Sequence, residues 1–115
     1  MSAFDFAGMR QAMEGADAGA LGSLYAEDAV MTIVDRDHPP GTPLDVNGRA
    51  AILAFWEDVC GRAMTHRLGR EVIAPDRVAF VEECAYPDGC NVMAAMTLEL
   101  REGRIARHLT VQAWD

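Results

Sequence analysis

No stretch of the sequence approaches the ~20 consecutive apolar residues that a bilayer-spanning helix needs. Its opening also lacks a secretory leader, because Asp5 and Glu14 interrupt it and no basic start precedes an apolar run. Cysteine is scarce: Cys60, Cys84 and Cys90 are an odd set, which implies reduced thiols and a cytoplasmic setting. Cys84 and Cys90 read as small residues flanking a hairpin. The only serines are Ser2 and Ser23, and neither lies in Gly-x-Ser-x-Gly, which argues against a serine hydrolase. There is no Gly-Lys-Ser/Thr phosphate loop, and Gly15, Gly19 and Gly22 follow no strand, so they form no dinucleotide fingerprint. Metal-ligand spacings such as His-x-His and His-Glu-x-x-His are missing. Asp35, Asp37 and His38 come nearest to a ligand set and read instead as an Asp- and Pro-rich loop. No metal and no cofactor is expected.

Positive charge is also short. Ten basic residues face eighteen acidic ones, for a net charge of −8. Nucleic-acid binding rests on cationic side chains displacing counterions, so it is not expected. Docking on an anionic membrane is disfavoured for the same reason. Arg62, Arg67 and Arg70 make a local basic stretch that reads as a solvated strand edge.

What is present is an ordinary globular composition, 50% hydrophobic over 115 residues. That is enough for one domain, residues 1–115, with a real core and no staples. Ser2 and Asp5 fit a capping-box start, and Phe6, Met9 and Met13 recur at helical spacing, which predicts a helix over 3–14. Asp17 opens a second helix reaching about Ala26, weakened by Gly19 and Gly22. A β-branched run at 29–35 predicts a strand, and three prolines within 36–47 predict a loop. A third helix runs from Asn47 or Gly48 to Cys60, with Ile52, Phe55, Trp56, Val59 and Cys60 inward. Four strands follow at 66–73, 77–86, 91–101 and 104–114, joined by turns short enough to imply an antiparallel meander. Helices first and strands later is an α+β layout.

This order resembles the nuclear transport factor 2-like superfamily, and within it the SnoaL-like and ketosteroid-isomerase-like domains. Leu24-Tyr25-Ala26-Glu27-Asp28-Ala29-Val30, Val46-Asn47-Gly48-Arg49 into the third helix, Gly103-Arg104-Ile105 and the closing Gln112-Ala113-Trp114-Asp115 carry the likeness. The resemblance implies a cone: a curved, mostly antiparallel sheet wrapped by three helices around an apolar pocket, with a convex face that often makes a dimer. It also allows a check of catalytic positions. Where ketosteroid isomerases of this fold hold their base, this chain has Ile33. Their oxyanion pair falls near Met9 and Met96, and the last-strand aspartate of related cyclases and epoxide hydrolases falls at about Gln112. His66 matches the position of a histidine in scytalone dehydratases.

Two function classes stay open. One is a cofactor-independent isomerase, cyclase or dehydratase moving a proton on an apolar carbonyl compound. The other is a non-catalytic binding or accessory domain. For catalysis, period-2 alternation puts Met31 and Asp35 on the face of Ile33. Asp35 is then the first candidate base, its pKa expected to be raised by apolar walls. The alternative is a strand-end acid leading into the loop. His108 is the expected acid or partner, with Gln112 and Thr110 orienting a carbonyl. One of the adjacent Glu82 and Glu83 must face inward, and alternation alone does not say which. The pocket is expected between the first and third helices and the sheet. Met9, Met13, Met31, Ile33, Trp56, Met96 and Trp114 would line it, with His66 as a further ligand contact and a small apolar molecule as the partner.

On the last strand the resemblance puts Ala106, His108, Thr110, Gln112 and Trp114 inward, and Ile105, Leu109, Val111 and Ala113 outward. An outward apolar row is costly to leave in water. A homodimer is therefore expected through the convex face, using Leu109 and Val111 with Thr97, Glu99 and Arg101. Sedimentation at micromolar concentration should give twice the chain mass, and a clean monomer would contradict this use of the face.

Overall fold

A computed structural model describes residues 4–115. Asp5 starts the first helix: its carboxylate accepts the Gly8 backbone N–H at 2.8 Å. Helix α1 then spans Phe6–Glu14 and buries Phe6, Met9, Ala12 and Met13, the apolar stripe read from the sequence. The helix thus starts later than the expected residue 3, because Asp5 is the cap itself and not the third residue of a capping box; Ser2, expected to share the cap, lies outside the described residues. Asp17 caps α2 through the Ala20 N–H at 3.1 Å, but α2 covers only Ala18–Gly22.

The second helix thus stops short of Ala26, and strand β1 already begins at Tyr25, running Tyr25–Val34. The cause is tertiary. The Leu24 carbonyl accepts the Ile105 N–H at 2.9 Å, and Tyr25 pairs with Ile105 of the last strand. Two glycines in five residues leave the helix too weak to compete for that backbone. The loop expected over 36–47 also yields a strand, the exposed β2 at Leu44–Asn47, paired antiparallel with β1. Thr32 donates to Asp45 across that pair at 2.8 Å.

Helix α3 (Arg49–Cys60) and strands β3 (Thr65–Ile73), β4 (Arg77–Ala85), β5 (Asn91–Arg101) and β6 (Arg104–Trp114) follow within a residue or two of expectation. The turn between β5 and β6 puts Glu102 and Gly103 at φ +53° and +76°, the left-handed pair a two-residue hairpin needs. The six strands form one curved, unclosed mixed sheet in the order β2-β1-β6-β5-β4-β3. Only β1 with β6 is parallel; the other neighbours are antiparallel. This is the α+β fold expected, with the helices on the concave side and a core that joins both.

Two facing assignments change. In β6, Glu99 pairs with Arg107 but Leu100 pairs with Ile105, so Ala106 is an extra residue in the strand. The bulge shifts the alternation by one. Ile105 is fully buried rather than outward, and Ala106 is half-buried beside it. Beyond the bulge the expected phase holds: His108 and Thr110 are buried, while Leu109 and Val111 are exposed. The second change concerns the methionines. Met9, Met13 and Met31 are packed into the core with Ile52 and Leu98, so they fill space under the helices rather than face a cavity. No helix among the described residues is long and apolar enough to cross a membrane.

Gly48 sets the start of α3. Its φ of +90° with ψ of 152° is a conformation essentially reserved for glycine. The position is pinned from both sides, by its N–H to the Ala29 carbonyl at 2.7 Å and by Ile52 N–H to its own carbonyl at 3.0 Å. Gly48→Ala should therefore cost about 1–3 kcal/mol in urea unfolding, whereas Gly41→Ala, where a new methyl meets nothing within 4 Å, should change stability little. Equal effects at both sites would contradict the strain argument.

Candidate functional site

A cavity of about 370 Å³ opens between α3, the turn after β1 and the concave faces of β4, β5 and β6. Its size suits a small organic molecule. Ile33, Phe55, Trp56, Met96 and Trp114 supply apolar walls, and His66, Glu82, Thr110 and Gln112 supply polar groups. Of the expected lining set, Ile33, Trp56, Met96 and Trp114 are there, together with His66. Met9, Met13 and Met31 are not, for the packing reason above. Helix α1 contributes no lining residue; α3 and the turn after β1 do the enclosing. At the rim, Arg36 lies over the Trp114 ring at 4.1 Å, and Tyr86 stacks on Trp114 with centroids 5.9 Å apart. Arg62, expected on a solvated strand edge, borders the same cavity and donates to Asp58 at 2.6 Å and to Tyr86 Oη at 3.2 Å.

Asp35 borders the cavity, with its carboxylate committed to its own turn. It sits one residue past the end of β1. Its Oδ1 accepts from the Asp37 N–H, the His38 N–H and His38 Nδ1 at 2.8–2.9 Å. Partial burial pushes its pKa upward, but the His38 side chain and these backbone donors outweigh it, so the net shift is down. A carboxylate held this way is a turn cap and a poor proton acceptor. Asp35 and His38 do come together, as parts of that turn.

His108 is not beside Asp35. It is fully buried on β6, with Nδ1 2.7 Å from Tyr25 Oη and Nε2 2.9 Å from Thr110 Oγ1. Trp56 Nε1 donates to Tyr25 Oη at 3.1 Å. Burial drives the His108 pKa down to about 3, so the imidazole is neutral at ordinary pH. Burial also pushes the Tyr25 phenol well above its usual range, despite the hydrogen bond from Trp56. His108 is thus the centre of a neutral polar chain behind the cavity wall, and Trp56 and Thr110 at the two ends of that chain line the cavity.

The group that sequence reading left undecided is Glu82. It is buried and faces the cavity, whereas Glu83 is exposed on the other side of β4. Cross-strand register explains its partner. His66 on β3 sits opposite Cys84 on β4, and Glu82 lies two residues before Cys84 on the same face. His66 Nδ1 is 2.9 Å from Glu82 Oε2, and both side chains are almost wholly buried. The only sequence signal for this pair was the fixed separation of two facing strands, which needs the register to be known.

Cys84 completes the cluster, its Sγ 3.6 Å from the same His66 Nδ1. Burial raises the thiol pKa far above normal, and the nearby Glu82 adds to this. It is therefore no thiolate nucleophile. One donor atom each from His66, Glu82 and Cys84 lies within 4.8 Å of the others, so this is the place where the described residues could gather a metal. The 2.9 Å histidine–carboxylate contact is a hydrogen-bond length, shorter than the roughly 3.3 Å that two such ligands keep on a tetrahedral zinc. As it stands the arrangement is a hydrogen-bonded dyad.

A cone of this kind with a polar patch at its base defines a small-molecule pocket protein. The sequence profile of the SnoaL-like domain matches residues 6–108, and the chain belongs to that family. Among solved structures it is similar to a proposed ketosteroid isomerase from Kribbella flavida DSM 17836, at 18% identity and TM-score 0.79 over 94% of this chain and 74% of that one. It is similar to IdmH, a proposed polyketide cyclase from Streptomyces antibioticus, at 27% identity and TM-score 0.68 over 93% and 88%. A computationally designed 17-OHP binder shares the fold at 17% identity and TM-score 0.69 over 96% and 93%. A comparison with curated proteins finds no significant match.

The buried imidazole gives a pH prediction. In the unfolded chain His108 binds a proton near its ordinary pKa of 6.5, and in the folded chain only near 3. Between these values the unfolded state holds more protons, so stability falls as pH falls. Urea unfolding should show a loss of about 2 kcal/mol from this group between pH 8 and pH 5, and His108→Gln should flatten that slope. An unchanged slope in the variant would sink the assignment.

Proposed function

We propose that this domain is a cofactor-independent acid/base enzyme, of isomerase or cyclase type, acting on an apolar carbonyl compound through the His66–Glu82 dyad. The observation that carries the reading is that dyad: an imidazole and a carboxylate buried together at a cavity that combines apolar walls such as Ile33, Trp56 and Met96 with a charged rim. Burying both groups is costly unless they are paired, and imidazole is the side chain best suited to carry a proton to and from a substrate. The Glu82 carboxylate accepts the Nδ1–H of His66 and fixes its tautomer. Nε2 is then the nitrogen left to take a proton from carbon next to the substrate carbonyl. The electron pair moves onto the carbonyl oxygen, and His66 returns the proton at another carbon to complete the isomerisation. Thr110 and Gln112, both on the cavity wall, would hold that oxygen. Gln112 Oε1 already accepts the Trp114 indole N–H at 3.0 Å, which leaves its amide N–H groups as donors.

A second reading has its own support. The designed 17-OHP binder shows that the same fold can hold a small molecule. Here the apolar Ile33 and Met96 sit on the cavity wall. On that reading the dyad only shapes the pocket.

The test is solvent proton exchange into a panel of apolar ketones and polyketide-like compounds. His66→Gln should lower exchange by roughly 10²–10⁴-fold, the usual contribution of a general base. Glu82→Gln should cost less, because the imidazole remains. Asp35→Asn should change the rate little. Binding without exchange across the panel would favour the binder, and full activity in His66→Gln would exclude the dyad as the base.

A further inference from the structure

The buried chain behind the cavity wall has a direction, and the bonding inventory fixes it. Trp56 Nε1 can only donate, so Tyr25 Oη accepts from it at 3.1 Å. The Tyr25 hydroxyl proton then needs an acceptor. Its one other partner among the described residues is His108 Nδ1, at 2.7 Å. If Tyr25 donates there, Nδ1 is the bare nitrogen and the proton of a neutral imidazole sits on Nε2. That Nε2–H donates to Thr110 Oγ1 at 2.9 Å. The opposite tautomer would leave the Tyr25 O–H without an acceptor in a fully buried site, which is the arrangement buried polar groups avoid. The chain therefore runs Trp56 to Tyr25 to His108 to Thr110.

The Thr110 hydroxyl ends this chain as an acceptor. Its own proton has no acceptor among the described residues, and Thr110 lines the cavity. We infer that Thr110 is an obligate hydrogen-bond donor to the ligand, set by the Tyr25–His108 chain, so that the ligand atom seated there is an acceptor, a ketone or enolate oxygen. Thr110 is the residue that touches the ligand. Tyr25 and His108 act through it as positioning residues. Each bond in the chain polarises the next and strengthens the terminal donor. An oxygen that gains negative charge during proton abstraction is the group such a donor favours most. The inference rests on the pocket reading above and deepens it, because it says which chemical group faces β6.

Two measurements on the folded protein test it. The first is ¹⁵N NMR of His108 in the unliganded wild type. The expected pattern is a protonated Nε2 and a bare Nδ1, and the reverse tautomer would overturn the inference. The second uses prodan, an aromatic ketone that reports hydrogen bonding at its carbonyl through emission colour and C=O stretching frequency. Bound prodan should show a hydrogen-bonded carbonyl in wild type and in Thr110→Ser, and a free carbonyl in Thr110→Val. Tyr25→Phe, with its residue outside the cavity, should weaken the carbonyl's hydrogen bond without abolishing it, because one polarising link of the chain is lost while Nε2–H still donates to Thr110. A carbonyl signal unaltered by Thr110→Val would overturn the donor role while leaving the pocket intact. Failure of prodan and other neutral aromatic ketones to bind at all would overturn the pocket reading together with this one.

Discussion

Parallel pairing of β1 with β6 is the constraint on which the rest of this structure depends. It joins the first strand of the chain to the last, near the middle of the sheet, and leaves β2 and β3 as the edges. A parallel pair cannot be made by a tight turn, so everything between the two strands is the crossover that lets them meet. The pairing begins by taking Leu24 and Tyr25 away from the second helix. Near its far end it sets Ile33 beside Thr110. Tyr25 reaches His108 because the two strands are neighbours, and Trp56 reaches Tyr25 because α3 packs on the same face. The polar chain is thus a consequence of topology, written into residues far apart in sequence.

The concave wall holds two polar systems of different character. Across β1 and β6 the Tyr25–His108–Thr110 chain is kept neutral: burial lowers one pKa and raises the other, and each group is satisfied by its neighbour. On β3 and β4 the His66–Glu82 pair carries potential charge, held by one short bond and open to the cavity. Between them lie Met96 and Ala94, buried and apolar. A carbonyl compound held by donors on β6 and facing a base on β3 would lie across this strip. The proposed chemistry would use that separation of a neutral donor from the histidine–carboxylate dyad, on a scaffold that can host quite different tasks.

The turn after β1 shows how a strand-end acid is drawn into local hydrogen bonding. Asp35 has a carboxylate, a place at the rim and the right strand face. Three N–H donors from its own turn nevertheless occupy one oxygen and stabilise the anion. Local hydrogen bonding of this kind is what short acidic side chains do at turns. It decides the role of Asp35 more strongly than the apolar neighbourhood that would have raised its pKa.

The sequence by itself determined the α+β class, the starts of the second and third helices, the last four strands and the family. These follow from apolar spacing, a cap at Asp17, and turn residues such as Gly103, all of which act over a few residues of chain. It also placed Ile33, Trp56, His66, Met96, Thr110, Gln112 and Trp114 at the cavity. Only tertiary structure decided the rest. The end of α2 was set by competition from β6, the burial of Ile105 by a bulge at Ala106, and the retreat of Met9, Met13 and Met31 into the core by helix packing. The inward choice of Glu82 over Glu83, and its meeting with His66, depended on the register of β3 against β4. A one-residue slip would reverse it, and no short-range signal specifies that register. The site was hidden for the same reason: its bonds cross between strands and helices whose relative placement the sequence does not state.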